Sequence, residues 1–356
     1  MKADAGFKTF VSVQSRWIVG AGGDPGATVI FDTNTSKAIP GPKLLAAKLC
    51  PVVVAVGYKV YAISDSAGFI TEGPAPAFEV LDLSKAMDEE GNLSQLDRCS
   101  WEAMPPPPFF PRELLPKGEE SHLTPHVIAI AAYVAVGRYV LLSVYGPRTS
   151  NFKFSFTSDE YHKVTYAFDT VSERWRRVDG ACLPFLGSAT PLGRSGRVFL
   201  GLSRRNGPVS AYRIRVSTSS GRDAMAGVPD EDGALKLSVT VFPLKAKADE
   251  QIIARTGHYF ASLDGTCFYT LLHSLESSNS DRKYCKKTGQ FYWRMLDAKL
   301  TTYQIESESL ALLEAPDEEK PLAGKPIVIS NQREQTFRIF SAHGFYSAPI
   351  AFAVSI

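Results

Sequence analysis

The sequence predicts an all-β protein: a β-propeller of five or six four-stranded antiparallel blades, closed by C-terminal strands. Three observations carry this. Period-2 alternation and β-branched or aromatic runs extend from end to end. Long segments with a 3.6-residue period are nearly absent. One unit recurs along the chain, and recurrence at a fixed spacing marks a repeat architecture. A single domain over residues 1–356 is expected.

Strand-like runs come in order at Phe10–Val13, Trp17–Gly20, Thr28–Asp32, Pro51–Ile63, Phe78–Leu83 and His126–Tyr145. Val164–Asp169, Arg197–Leu202, Val209–Val216, Leu235–Phe242, His258–Leu272 and Thr301–Glu306 continue the series, and residues 326–356 supply the last strands. Residues 42–49, Pro-Lys-Leu-Leu-Ala-Ala-Lys-Leu, are the best short helical candidate. Gly57 and Gly137 interrupt apolar runs as hairpin turns do.

The repeated unit reads as an apolar strand, a turn, a second apolar strand, a variable loop, an aromatic-x-x-Asp strand, then Trp or an apolar residue before Pro. It is sharpest in 50–108, with Phe78–Asp82 and Trp101–Pro105, and in 126–184, with Tyr166–Asp169, Trp175 and Pro184. A shorter copy opens the chain and ends its third strand at Asp32; weaker copies occupy 187–243 and 251–316. A four-stranded sheet with two apolar faces cannot bury both alone. Radial stacking buries each face against the next sheet and leaves short, protected edges.

Phe78–Pro108 and Tyr166-Ala-Phe-Asp-Thr-Val-Ser-Glu-Arg-Trp175 through Gly187 resemble the repeats of plant kelch-like proteins, most closely a set of grass proteins of kelch-like organisation. The units here run to about 60 residues against about 50 for kelch, and lack the Gly-Gly doublet before the second strand. The resemblance implies a propeller that binds other macromolecules. No F-box-like segment precedes Phe10, so it carries no expectation of a ubiquitin-ligase subunit.

Lys plus Arg number 39 against 37 for Asp plus Glu, a net charge of +2, so no global field draws nucleic acid or an anionic membrane. Five cysteines at wide spacing form no Cys-x-x-Cys pair, and the six histidines are scattered. No metal site and no cofactor are expected. The absence of a signal-like or membrane-length apolar run predicts a cytoplasmic or nuclear protein. Gly193-Arg-Ser195-Gly196 misses the spacing of a nucleophile elbow. Asp32, Asp82 and Asp169 recur at equivalent strand ends, which suits turn caps bonding backbone amides better than a unique acid–base pair. No catalytic residue is assigned.

Binding is the function expected. Loops between second and third strands are long at Ser64–Ala77, Gly146–Lys163 and Ser274–Tyr292. The second interleaves Phe152, Phe154, Phe156 and Tyr161 with Arg148 and Lys153, either as an extra hairpin with one apolar face or as an exposed aromatic patch. Arg148, Phe152, Phe154, Phe156 and Tyr161, with the Arg204-Arg205 pair, are the candidate contacts for a protein partner. Two alternatives stand beside this scaffold reading. One is a hydrolase or lyase acting at a central channel. The other is an RNA- or glycan-binding propeller using Arg213, Arg215 and stacking aromatics such as Tyr212 and Tyr284.

Overall fold

The computed structural model describes residues 8–23, 26–48, 51–64, 76–110, 129–147, 161–179, 182–193, 195–203, 209–218, 235–246, 258–262, 267–274, 282–285, 290–314 and 325–345. Most of these residues are strand, as the period-2 pattern requires. The chain divides into two compact units. The first contains Met1–Ser188, Arg215–Ser238 and Ile356; the second contains Ala189–Ile214 and Val239–Ser355.

The first unit opens with three successive four-stranded antiparallel meanders. Sheet 1 is β1 (Thr9–Val13), β2 (Trp17–Ala21), β3 (Thr28–Asp32) and β4 (Lys37–Gly41). Sheet 2 is β5 (Val52–Val56), β6 (Lys59–Ile63), β7 (Phe78–Asp82) and β8 (Trp101–Ala103). Sheet 3 begins with β9 (Ala129–Val136), β10 (Tyr139–Pro147), β11 (Tyr161–Asp169) and β12 (Arg174–Asp179). In each, strands pair in chain order.

Turn chemistry sets the first hairpins. Val56 pairs with Lys59 and Val136 with Tyr139, leaving two-residue loops that start at Gly57 (φ 62°) and Gly137 (φ 57°). Glycine at the first loop position with positive φ suits the right-handed twist of the flanking strands. Sheet 1 has no glycine there. Gln14 and Ser15 adopt φ of 51° and 52°, a left-handed conformation costing about 1 kcal/mol per non-glycine residue.

Alternation then decides the packing. Val13, Trp17, Val19 and Ile30 of sheet 1 meet Val53, Val60, Leu81 and Trp101 of sheet 2 in one core. Val54, Tyr61, Ile63 and Phe78 point from the opposite face of sheet 2 to Val140, Leu142, Val144 and Phe168 of sheet 3. Sheet 2 is therefore buried on both faces, which explains its near-continuous apolar strands. Each of these side chains contributes about 1.5–3 kcal/mol on burial. The first strands, β1, β5 and β9, neighbour one another.

Later strands are β13 (Phe185–Leu192), β14 (Val198–Ser203), β15 (Val209–Thr218), β16 (Leu235–Ala246), β17 (His258–Ser262) and β18 (Cys267–Ser274). After them come β19 (Arg282–Cys285), β20 (Gln290–Ile305), the helix α1 (Ser307–Glu314) and β21 (Ile327–Phe345). Both edges of the third meander are paired in parallel: Gly187 and Ser188 of β13 on β9, and Leu235 and Lys236 of β16 on β12. Val198–Leu202 of β14, in the second unit, pair antiparallel with Val209–Arg213 of β15. In the second unit β17, β18, β20 and β21 form an antiparallel sheet, and β16 pairs in parallel with β21 at Leu244–Ala246. Leu200, Phe242, Phe268, Ile305, Leu313 and Ile327 build its core.

Three expectations are corrected. Residues 42–48 form no helix; they are an extended strap, because Lys48 bridges backbone to Gly23 instead of completing a helical turn. The helix is α1, in a stretch counted as part of a blade. The meander of the third repeat is not a free-standing sheet, since both its edges are paired. Of the C-terminal strands of 326–356, expected to close the ring, β21 pairs with β20 and β16; residues 346–356 lie outside the described residues.

Candidate binding face

Each meander has two ends. The first hairpin and the third-strand Asp share one; the connection from second to third strand leaves from the other.

At the hairpin end the same interactions repeat. Asp32 Oδ1 accepts the amide of Asn34 at 2.9 Å, Asp82 Oδ1 that of Ser84 at 3.0 Å, and Asp169 Oδ1 that of Val171 at 3.0 Å. Each carboxylate thus folds its own turn. The next residue closes the turn onto the first hairpin. The Thr33 amide donates to Arg16 O at 2.9 Å, Leu83 to Tyr58 O at 3.1 Å, and Thr170 to Arg138 O at 3.0 Å. In sheets 1 and 3 the threonine hydroxyl adds a second bond to the same carbonyl, 2.8 Å in both. There the hairpin arginine also returns to the aspartate, Arg16 to Asp32 at 3.4 Å and Arg138 to Asp169 at 3.0 Å. Burial opposes ionisation of Asp32, but the amides of Asn34 and Thr35 with the Arg16 guanidinium outweigh it and hold the carboxyl below its ordinary value.

Arg16 reaches further, donating to Gly91 O at 2.7 Å and Asn92 Oδ1 at 2.6 Å in the connection between β7 and β8. The hairpin ends of sheets 1 and 2 are joined there.

Successive sheets are tied by tryptophan. Trp101 stands opposite Leu81 and Trp175 opposite Phe168, one residue before the aspartate in each case. The Trp101 indole donates to Thr28 Oγ1 at 3.0 Å and to Pro42 O at 3.1 Å; the Trp175 indole donates to Pro105 O at 2.9 Å. Each acceptor proline follows the last strand of the preceding sheet. Pro105 opens a run of four prolines that leads into a plug: Phe109 and Phe110 are buried, with Phe109 against Tyr166 and Trp175.

At the opposite end lie the connections from second to third strand. In sheet 1 this is the glycine-rich stretch after β2, where Gly22, Gly23 and Gly26 have φ of 118°, 79° and 82°. Lys8 Nζ donates to Gly22 O and Ala27 O across it. In sheet 2 the Ser64 amide bonds Ala77 O at 2.9 Å, closing the base of the long loop. Between the two runs the 42–48 strap. Lys48 and Glu79 form an ion pair there with side chains 1% and 0% exposed. Glu79 also accepts the amides of Leu45 at 2.7 Å and Ala46 at 3.2 Å, and Lys48 Nζ donates to Pro76 O at 3.0 Å. Burial draws the Lys48 ammonium below its ordinary pKa, against the pull of the Glu79 charge.

In sheet 3 the rung Pro147–Tyr161 ends the β10–β11 pairing. Tyr161 is therefore the first residue of β11. Arg148, Phe152, Phe154 and Phe156 lie outside the described residues, as do Arg204 and Arg205. Arg213 is not a surface residue. It is 5% exposed, stacks over Phe242 at 5.4 Å, and donates to the carbonyls of Leu312 and Leu313 at 3.0 and 2.8 Å near the C-terminus of α1. Sequence reasoning offered it as a contact for RNA or glycan because the helix supplying its acceptors went unread. The Lys48–Glu79 pair was missed for a related reason: its partners are backbone groups of three separate segments.

The repeated turn locks and tryptophan ties define an all-β protein of tiled antiparallel sheets. The chain belongs to the family described as Protein of unknown function (DUF1668), whose model matches residues 2–296. No curated protein matches the chain.

Proposed function

We propose that this chain is a kelch-like propeller scaffold, of five or six blades, that holds a partner protein without performing chemistry. The end from which the second-to-third-strand connections leave is its binding face. One observation carries the reading. The hairpin ends of three consecutive sheets spend their recurring aspartates on their own turns, whereas the long connections 64–77 and 148–160 leave from the opposite end. The sequence of the second connection carries Arg148, Phe152, Phe154 and Phe156, and Tyr161 begins the strand that follows it; aromatics beside arginine are what interface hot spots use.

The test is affinity capture with mass spectrometry from the source tissue. Wild type is compared with a Phe152→Ser/Phe154→Ser/Phe156→Ser variant of unchanged circular dichroism. The reading expects one stoichiometric protein partner that the variant loses. A partner retained by the variant moves the binding face elsewhere. Capture of no protein removes the scaffold reading.

A further inference from the structure

We propose that Lys48 and Glu79 are the positioning residues of the binding face, a buried clamp that fixes the loop bases of sheets 1 and 2 to one another.

Two charges this deeply buried need a reason. Lysine and glutamate are almost never fully buried unless paired, and an isolated buried pair rarely adds net stability over apolar residues of equal volume. This pair reaches beyond itself. The Glu79 carboxylate gathers two successive amides of the strap, Leu45 and Ala46. The Lys48 ammonium holds Pro76 O, at the foot of the 64–77 connection. The Lys48 carbonyl accepts the Gly23 amide at 2.8 Å, at the glycine-rich connection of sheet 1. Connections of two sheets and the strap between them therefore converge on one ion pair.

Space for the pair is provided by the sheet. Glu79 stands opposite Ala62 on β6 and Ala103 on β8, so small neighbours flank it on both sides. It points to the same face as Leu81, which packs toward sheet 1. Apolar residues in place of the pair would fill that space and release the Leu45 and Ala46 amides and the Pro76 carbonyl. The chemistry therefore fits holding backbone in place better than filling a core.

The functional consequence rests on the binding reading above; the clamp itself does not. The experiment uses the full chain as two variants. One is Glu79→Gln, which keeps an acceptor. The other is the double variant Lys48→Met/Glu79→Leu, which removes both charges together and so leaves no buried charge unpaired. Amide hydrogen exchange is followed at Gly23, Leu45, Ala46 and Ser64, with Thr33 and Thr170 as hairpin-end references. The clamp predicts that the double variant exchanges roughly tenfold faster or more at the first four while the references hold, and that Glu79→Gln falls between. No change at those amides, or an equal rise at all six, overturns it. The same variants then enter the affinity capture. Local loosening with the partner lost supports clamp and binding face together. Local loosening with the partner kept supports the clamp and removes the binding-face reading.

Discussion

Replacing Trp101 by Phe tests the tie between sheets 1 and 2. The indole is 2% exposed and donates to both Thr28 Oγ1 and Pro42 O. Phenylalanine keeps most of the apolar contact with Leu81 and Ile30 but has no N–H. Stranding a buried acceptor costs about 1–3 kcal/mol, and the smaller ring adds roughly 1 kcal/mol of lost packing. The expected loss is therefore about 2–4 kcal/mol. The matching change at Trp175 serves as the internal comparison. That residue is only half-buried and its bond to Pro105 O is exposed, so water replaces the lost donor and the cost stays near 1 kcal/mol. Urea unfolding followed by far-ultraviolet circular dichroism reads both, provided the transition slope is unchanged. A Trp175→Phe loss equal to or above that of Trp101→Phe refutes the reasoning, as does a Trp101→Phe loss below about 0.5 kcal/mol.

Three further outcomes follow from the same geometry. Because the Asp32 carboxyl is held below its ordinary value of 3.8, its contribution is full above that value and is lost as pH falls through the lowered folded-state value. Acid unfolding of wild type and Asp32→Asn should therefore differ near neutrality and converge at the acid end. Burial raises the Tyr61 phenol to about 12, against a hydrogen bond with Thr170 that lowers it. Its stabilisation is complete below about pH 10 and lost as pH rises through about 12. The ultraviolet phenolate titration of wild type minus Tyr61→Phe should show that late step, and a step near 10 contradicts it. Finally, nothing lies within 4 Å of a Cβ added at Gly57 or Gly137, so Gly→Ala there costs only the left-handed backbone, about 1 kcal/mol each by chemical denaturation.

Much of the fold was legible where local chemistry decides structure. Thr28–Asp32 was read with the bounds it has, and Gly57 and Gly137 are turn residues because their φ values are positive. The recurring aspartates could be read as caps since a cap needs only amides two residues on. The tryptophans could be read as recurring members of the repeat, though not their proline carbonyl acceptors. What failed depended on distant partners. The 42–48 strap has helical composition, yet Glu79, far along the chain, claims its amides. Arg213 was offered as a ligand contact because its acceptors, Leu312 and Leu313, are remote in sequence. The parallel pairings of β13 and β16 onto sheet 3 leave no period-2 signature that differs from an antiparallel one. Of the candidate contacts, Tyr161 could be placed only as the first residue of β11.

The tryptophan ties also have a direction. Trp101 finds its acceptors in sheet 1 and Trp175 in the segment after sheet 2, so in these ties each new sheet leans on residues already synthesised. A ribosome releasing this chain delivers the acceptors of both indoles before the indoles themselves. Shortening from the two termini is therefore unequal. Removing residues through Pro42 strips both partners from a buried indole, whereas stopping the chain after Pro107 leaves the ties of sheets 1 and 2 complete.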